Sequence, residues 1–331
     1  MTVKDTAELD RLVGAMRSVR AEVAKSVVGQ GEVVDQLLIG LLCGGHVLLE
    51  GTPGVGKTLM VRTLGAVTGL SFGRVQFTPD LMPADVTGGL MLVPDDAGHM
   101  SAKFQPGPIF SEILLADEIN RAPPKTQSSL LEAMQEGTVT VGGVSRTLPK
   151  PFFVLATQNP VEMDGTYELP EAQIDRFLFK SVVRYPSEAE LDTILDLTTG
   201  TASTKLNQIL SAGEIRELQQ LVRDVPVAHH VRRAIARIAI ATQPDSPQSS
   251  EVVRKYLRFG LSPRGAQALL LAAKGHALLN GRYNVGFDDI RAIMLPVMRH
   301  RVQLNFHGEA ARLDLGKLFG DLLDAEIKVA A

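Results

Sequence analysis

The sequence predicts an α/β fold, a parallel sheet held between helices, followed by an all-helical domain. Three observations carry this. Apolar runs of strand length alternate with helical or loop segments as far as Tyr185, the pattern of a sheet covered on both faces. Beyond Tyr185 only helical periodicity is evident. A glycine-rich turn, Gly51 to Thr58, stands between one of the apolar runs and a helix.

Taken in order, Leu9, Leu12, Val13, Met16, Val19 and Val23 recur at helical spacing, so the chain opens with an amphipathic helix. A second carries Val34, Leu37, Leu38, Leu41 and Leu42 on one face. The strand runs are His46 to Leu49, Arg74 to Phe77, Ile113 to Ala116, Phe152 to Ala156 and Leu178 to Val183. Helices follow around Glu188–Leu197, Ala212–Val222, His229–Ala241, Pro263–Leu279 and Phe287–Val302. The Thr-, Gly- and Ser-rich stretch Thr198 to Thr204 reads as a linker. The expected organisation is therefore an α/β domain over 1–195 with two hairpin insertions, a linker over 196–211, and a helical domain over 212–331.

With 331 residues, 45% of them hydrophobic, the chain can bury a sizeable core, and its net charge of -3 exerts no general pull toward nucleic acid or anionic membrane. The single cysteine, Cys43, sits beside Leu41 and Leu42, so a buried, inert thiol is expected. One cysteine, no apolar signal core in Met1 to Asp10 and no run long enough to span a membrane lead to a soluble, cytoplasmic protein. None of the seven histidines has zinc-type spacing, and no structural zinc is expected. Asp288 and Asp289 read as helix caps. Tyr256 and Phe259 among Arg254, Lys255 and Arg258 read as packing beside a solvated face.

Gly51-Thr52-Pro53-Gly54-Val55-Gly56-Lys57-Thr58 has the spacing G-x-x-x-x-G-K-[ST]. Its glycines let backbone N–H groups wrap phosphates at the start of a helix, where the dipole is positive. Lys57 reaches the terminal phosphates and the Thr58 hydroxyl ligates magnesium. The run Ile113 to Ala116 then ends in Asp117-Glu118. An acid at the end of a strand near such a loop can hold the hydration shell of magnesium, and a second acid beside it can polarise an attacking water. Asp117 is the expected magnesium partner and Glu118 the expected general base.

Asp117-Glu118-Ile119-Asn120-Arg121-Ala122 and Gln135-Glu136-Gly137-Thr138-Val139 resemble the Walker B region of MoxR-type AAA+ ATPases. Gln76 to Pro83, Ala156-Thr157-Gln158-Asn159-Pro160 and Leu169 to Phe177 resemble the same family, and the likeness runs from about Val27 through the helical domain. The resemblance implies an AAA+ P-loop NTPase core with a C-terminal all-helical lid. It places Asn159 at sensor 1, Arg176 at the arginine finger that reaches a neighbouring subunit, and Arg264 at sensor 2. Such a finger contributes roughly 10³–10⁵ in rate, and the alternative for Arg176 is an internal ion pair with Asp175 or Glu171.

Arg264 follows Ser262 and Pro263 in the first turn of a helix, unfavourable for a cation unless an anion is near. Arg121 is a second candidate for action across subunits, with an internal ion pair as its alternative. Val27-Val28-Gly29-Gln30 matches the adenine-lining segment, with Val28 and Gly29 joining Gly51, Pro53, Gly54, Val55, Gly56, Lys57, Thr58 and Leu59 as nucleotide contacts. No Asn-Lys-x-Asp segment is present to read guanine, which favours ATP.

Two insertions complete the likeness. Leu90 to Phe104 surrounds Pro94-Asp95-Asp96-Ala97-Gly98, and Gly142-Gly143 divides Val139-Thr140-Val141 from Val144-Ser145-Arg146 as in a hairpin. They correspond to the helix-2 insert and pre-sensor-1 hairpin, with plain surface hairpins as the alternative. Glu162-Met163-Asp164-Gly165-Thr166-Tyr167 departs from the family's Glu-Gln-Glu-Gly-Thr-Tyr without touching a catalytic position.

The expected function is an ATP- and magnesium-dependent, ring-forming remodeller of protein clients, hexameric, with von Willebrand factor A domain partners. A nucleic-acid-stimulated motor and a nucleotide-gated scaffold are the alternatives, disfavoured by the near-neutral charge and by Glu118 respectively.

Overall fold

The computed structural model describes residues 3–94, 99–159, 166–200 and 205–330, with side chains described within 10–329. The side chain of Leu9, the turn 95–98, the departure at 162–165 and the expected linker's residues 201–204 fall outside these.

Five strands form one parallel sheet in the order Phe72–Gln76, Ile113–Asp117, Phe153–Gln158, His46–Glu50, Phe177–Val182. All five apolar runs are in it, displaced by up to two residues. Side chains alternate between its faces. Val47 and Leu49 join the cluster built on the helices Gly31–Cys43 and Lys57–Thr68, whereas Leu48 joins the cluster built on the helix Pro124–Glu136. Because the strands are parallel, their C-terminal ends, Glu50, Gln76, Asp117 and Gln158, share one edge. His46, Phe153 and Phe177 start at the opposite edge.

Both insertions are antiparallel hairpins, Gly88–Pro94 with Met100–Pro106 and Thr138–Val141 with Val144–Thr147. Gly142 (φ 59°) and Gly143 (φ 76°) supply the two positive-φ positions a tight hairpin turn requires. The hairpins meet where the Arg146 guanidinium lies 4.0 Å over the Phe104 ring.

The C-terminal region is helical: Ala212–Asp224, His229–Ala241, Glu251–Tyr256, Pro263–Leu279, Phe287–Met298, Phe306–Ala310 and Leu315–Ala330. The expectation that strands end at Tyr185 is corrected by one short ribbon, Leu257–Phe259 against Gln303–Leu304. That pairing ends the expected Phe287–Val302 helix at Met298. Two- and three-residue strands are too short to show a period.

This region docks on the core. A Cβ on Gly275 would lie 2.8 Å from Cys43 Sγ and 2.9 Å from Ile39, so the helix Pro263–Leu279 needs glycine there. Arg301, buried, donates to Asp175 Oδ1 (2.7 Å) and to the carbonyls of Asp175 (3.1 Å), Phe177 (2.6 Å) and Leu178 (3.1 Å), fastening the lid to the start of the edge strand. No helix among the described residues is long and apolar enough to cross a membrane.

Candidate active site

The loop Gly51–Gly56 leaves the C-terminal end of the strand His46–Glu50 and enters the helix Lys57–Thr68. A Cβ on Gly51 would meet the Val183 carbonyl at 2.9 Å, so the chain passes there only as glycine. Gly54 (φ 81°) and Gly56 (φ 85°) take the left-handed conformation that turns successive N–H groups inward. The Lys57 ammonium donates to the carbonyls of Gly51 and of Thr52 (3.3 Å). Partial burial pulls its pKa down, and the charges of Asp117 and Glu118 oppose that.

Beside the loop lies an apolar cavity of about 300 Å³, lined among others by Val28, Gly54, Val55, Leu59, Tyr185 and Ile194. Its volume and lining suit a nucleobase, and the positive-φ loop suits a phosphate chain. Gly56 lines it too, whereas Gly29 lines a neighbouring cavity with Gln30 and Lys180. Pro53 is exposed on the loop, and Thr58 is half-buried in the first helical turn. The sequence reading missed Tyr185, Leu191 and Ile194. Leu191 and Ile194 belong to the helix Glu188–Thr199, and with Tyr185 just before it they line the same cavity as Val28.

Asp117, buried, ends its strand with Gln76 as its register partner. Its Oδ1 accepts from the Thr157 hydroxyl (2.7 Å) and its Oδ2 from Arg74 (2.7 Å). A carboxylate has about four lone-pair sites, so both contacts leave room for a magnesium-bound water. Glu118 takes a left-handed conformation (φ 57°, ψ 50°), which costs a residue with a Cβ about 1–2 kcal/mol. Its N–H donates to Thr157 Oγ1 (2.8 Å), and its Oε2 accepts from Gln76 Nε2 (2.9 Å) and Arg121 Nη1 (3.0 Å). For Arg121 the internal ion pair is thus formed. Arg74, Gln76 and Thr157 were missed as site residues, although Gln76 and Thr157 lie inside the quoted motifs.

Asn159 is buried one residue past the strand Phe153–Gln158. The Gly51 N–H donates to the Gln158 carbonyl (3.3 Å), which sets Asn159 next to the base of the loop. Lys57, Thr58, Asp117, Glu118 and Asn159 are therefore gathered at one edge of the sheet.

Arg176 and Arg264 are not among them. Both line a separate cavity of about 160 Å³ with His46, Met134 and Gln135. His46 begins the strand whose far end carries the loop, and a five-residue strand separates its ends by roughly 13 Å. Arg176 Nη1 donates to the Leu131 carbonyl (2.5 Å), while its Nε is buried without a partner. The alternative for Arg176, an ion pair with Asp175 or Glu171, gives way to that carbonyl, because Asp175 is taken by Arg301 (2.7 Å) and approached by Arg264 (4.0 Å). The anion that offsets Arg264 in its first helical turn is thus Asp175. Within one chain, Arg264 stands away from the phosphate loop.

Residues 46–179 match the family model described as the ATPase family associated with various cellular activities (AAA), and residues 249–314 match the AAA lid domain. Chaperone MoxR1 of Mycobacterium tuberculosis is 44% identical, over 86% of this chain and 74% of that protein. Protein MoxR of Paracoccus denitrificans is 32% identical over 95% of this chain and 96% of its own length. A solved structure from Cytophaga hutchinsonii, described as a candidate ATPase, superposes with a TM-score of 0.89 at 37% identity, covering 97% of both chains.

Proposed function

This chain belongs to the MoxR family of AAA+ ATPases and hydrolyses ATP, and we propose that it does so in a homo-oligomeric ring, hexameric by family resemblance. In that ring each phosphate loop is completed by Arg176 and Arg264 of a neighbouring subunit. One observation carries this: the two arginines share a cavity at the sheet edge opposite the loop. A guanidinium there cannot serve its own chain's phosphates, but Arg264 is exposed beside the half-buried Arg176, at a position a second copy can meet.

In this mechanism, Thr58 and Asp117 would hold magnesium, which would screen the phosphate charge. Lys57 and the loop N–H groups orient the phosphates. Glu118 takes a proton from the attacking water, and Asn159 orients that water. Val28, Val55 and Leu59 contact the base, with Gly51, Pro53, Gly54 and Gly56 shaping the path of the loop.

The work done is chaperone-like remodelling of protein clients, with von Willebrand factor A domain proteins as the partner class. Leu90, Met91, Leu92, Met100 and Val144 on the hairpins are exposed, an apolar surface suited to a protein client.

The test is specific ATPase activity against protein concentration. Activity should rise as subunits associate, and a flat profile with Arg176→Ala unaffected would sink the shared site. For the client, Glu118→Gln loaded with ATP should retain a von Willebrand factor A domain partner. Release with the same kinetics as wild type counts against remodelling.

A further inference from the structure

We infer that Thr157 is a positioning residue that fixes both acids of the site at once, an inference that rests on Asp117 and Glu118 having the roles proposed above. Thr157 lies in the strand Phe153–Gln158 and is 1% exposed. Its register partner is Leu49, one residue before the strand that carries the phosphate loop ends at Glu50.

A hydroxyl has one proton and two lone pairs. The Glu118 N–H, 2.8 Å away, can only donate to Oγ1, so the Thr157 proton is free to go to Asp117 Oδ1 at 2.7 Å. The order is therefore fixed: Glu118 amide to Thr157 to Asp117 carboxylate. With Arg74 on Oδ2, Asp117 is held at both oxygens and its plane is set.

The same hydroxyl determines where Glu118 goes. In a continuing strand, adjacent side chains point to opposite faces, which would part the two acids. Glu118 breaks that alternation through its left-handed turn (φ 57°). The turn brings its carboxylate to Gln76 Nε2 (2.9 Å) and Arg121 Nη1 (3.0 Å). Thr157 satisfies the amide that this turn would otherwise leave buried without an acceptor. Asn159 is two residues further along, so a movement of this strand reaches the sensor and both acids together.

The experiment compares Thr157→Val, which keeps the shape and removes the hydroxyl, with Thr157→Ser, which keeps the hydroxyl. Both are read by kcat at saturating ATP, by affinity for mantADP without magnesium, and by the magnesium concentration that half-saturates mantATP binding. Thr157→Val should lose roughly 10–100-fold in kcat, part of the 10²–10⁴ that a positioned base contributes. Its magnesium midpoint should rise several-fold, as ~1 kcal/mol per lost hydrogen bond implies. Affinity for mantADP without magnesium should stay within about twofold, and Thr157→Ser should restore most of the turnover.

Wild-type kcat in Thr157→Val overturns the inference, and so does a loss that Thr157→Ser fails to recover. If Thr157→Val no longer binds mantADP, Thr157→Cys, a weak donor close to serine in size, takes its place with the same two outcomes. Glu118→Gln runs alongside. Wild-type turnover there removes the base assignment itself, whereas an inactive Glu118→Gln beside a normal Thr157→Val removes only the role of Thr157.

Discussion

Arg176 and Arg264 come from different parts of the chain, the start of an edge strand and the first turn of a lid helix, yet they line one cavity. Asp175 brings them together: adjacent to Arg176 in the chain, it is ion-paired with Arg301 and lies 4.0 Å from Arg264. Two cations converge on one carboxylate that is already occupied, and the Arg176 Nε is buried without a partner. Such an arrangement leaves positive charge available to an anion arriving from outside the chain.

Mixing subunits tests this directly. Arg176→Ala and Glu118→Gln should each lower kcat by about 10³ or more, within the range of an arginine finger and of a general base. Combined in one ring, the first supplies intact acids and the second an intact Arg176. ATPase activity should therefore return on mixing, in proportion to mixed interfaces. Two inactive variants that stay inactive together, in rings shown to exchange subunits, exclude action across the interface.

Arg301 is expected to govern whether the lid stays docked. Its side chain is 2% exposed, and the guanidinium serves one carboxylate and several carbonyls near the start of the edge strand. Arg301→Met keeps the volume but leaves Asp175 and those carbonyls without their donor. Breaking a buried pair in this way costs about 3–5 kcal/mol. Thermal unfolding should shift down by several degrees, and Arg264 should lose its position, so turnover falls even below the new transition. An unchanged Tm would show that other contacts dock the lid.

Much of this was legible in the sequence because it rests on local chemistry. The five strands show as apolar runs since both sheet faces are covered, and the phosphate loop shows because only glycine tolerates its backbone. What escaped was set by tertiary placement. Arg74 and Thr157 meet Asp117 only through strand order, as residues from three different strands. Arg301 reads as one base among several until the fold brings it to Asp175. Arg264 was matched to its motif, but its position opposite the loop depends on how the lid docks. The Leu257–Phe259 ribbon is too short for any period to reveal.

Ile194 and Leu191 illustrate the same gap and make a separate prediction. The helix Glu188–Thr199 was expected, but not that this face would wall the cavity beside Val28. Ile194→Ala removes apolar contact with the base and should weaken ATP binding by about 1–2 kcal/mol, roughly 5–30-fold. Because the base is remote from the phosphate chemistry, kcat should hold while KM rises. Equal losses in kcat and kcat/KM would instead place Ile194 among the residues that act at the phosphates.

Acid should weaken the fold through His46 in a defined window. Its ring is buried, with Nδ1 accepting from the Val154 N–H (3.0 Å) and Nε2 donating to the Met134 carbonyl (3.2 Å). That arrangement needs the neutral ring, and burial pushes its pKa down from 6.5 to about 4. Unfolded, the ring takes up a proton below about 6.5. The folded pKa is the lower one, so the contribution is complete above the unfolded value and is lost as pH falls toward 4. Linkage puts the loss between pH 7 and 5 at about 2 kcal/mol. His300, half-buried and shifted in the same direction by desolvation, adds to it. The check is Tm from pH 7.5 to 5 for wild type and His46→Gln. The variant should start lower, having lost a buried contact, and fall less steeply. A slope equal to that of wild type would mean that His46 is not what titrates. Met134 and His46 both line the cavity of Arg176 and Arg264, so protonation there disturbs the surroundings of both arginines.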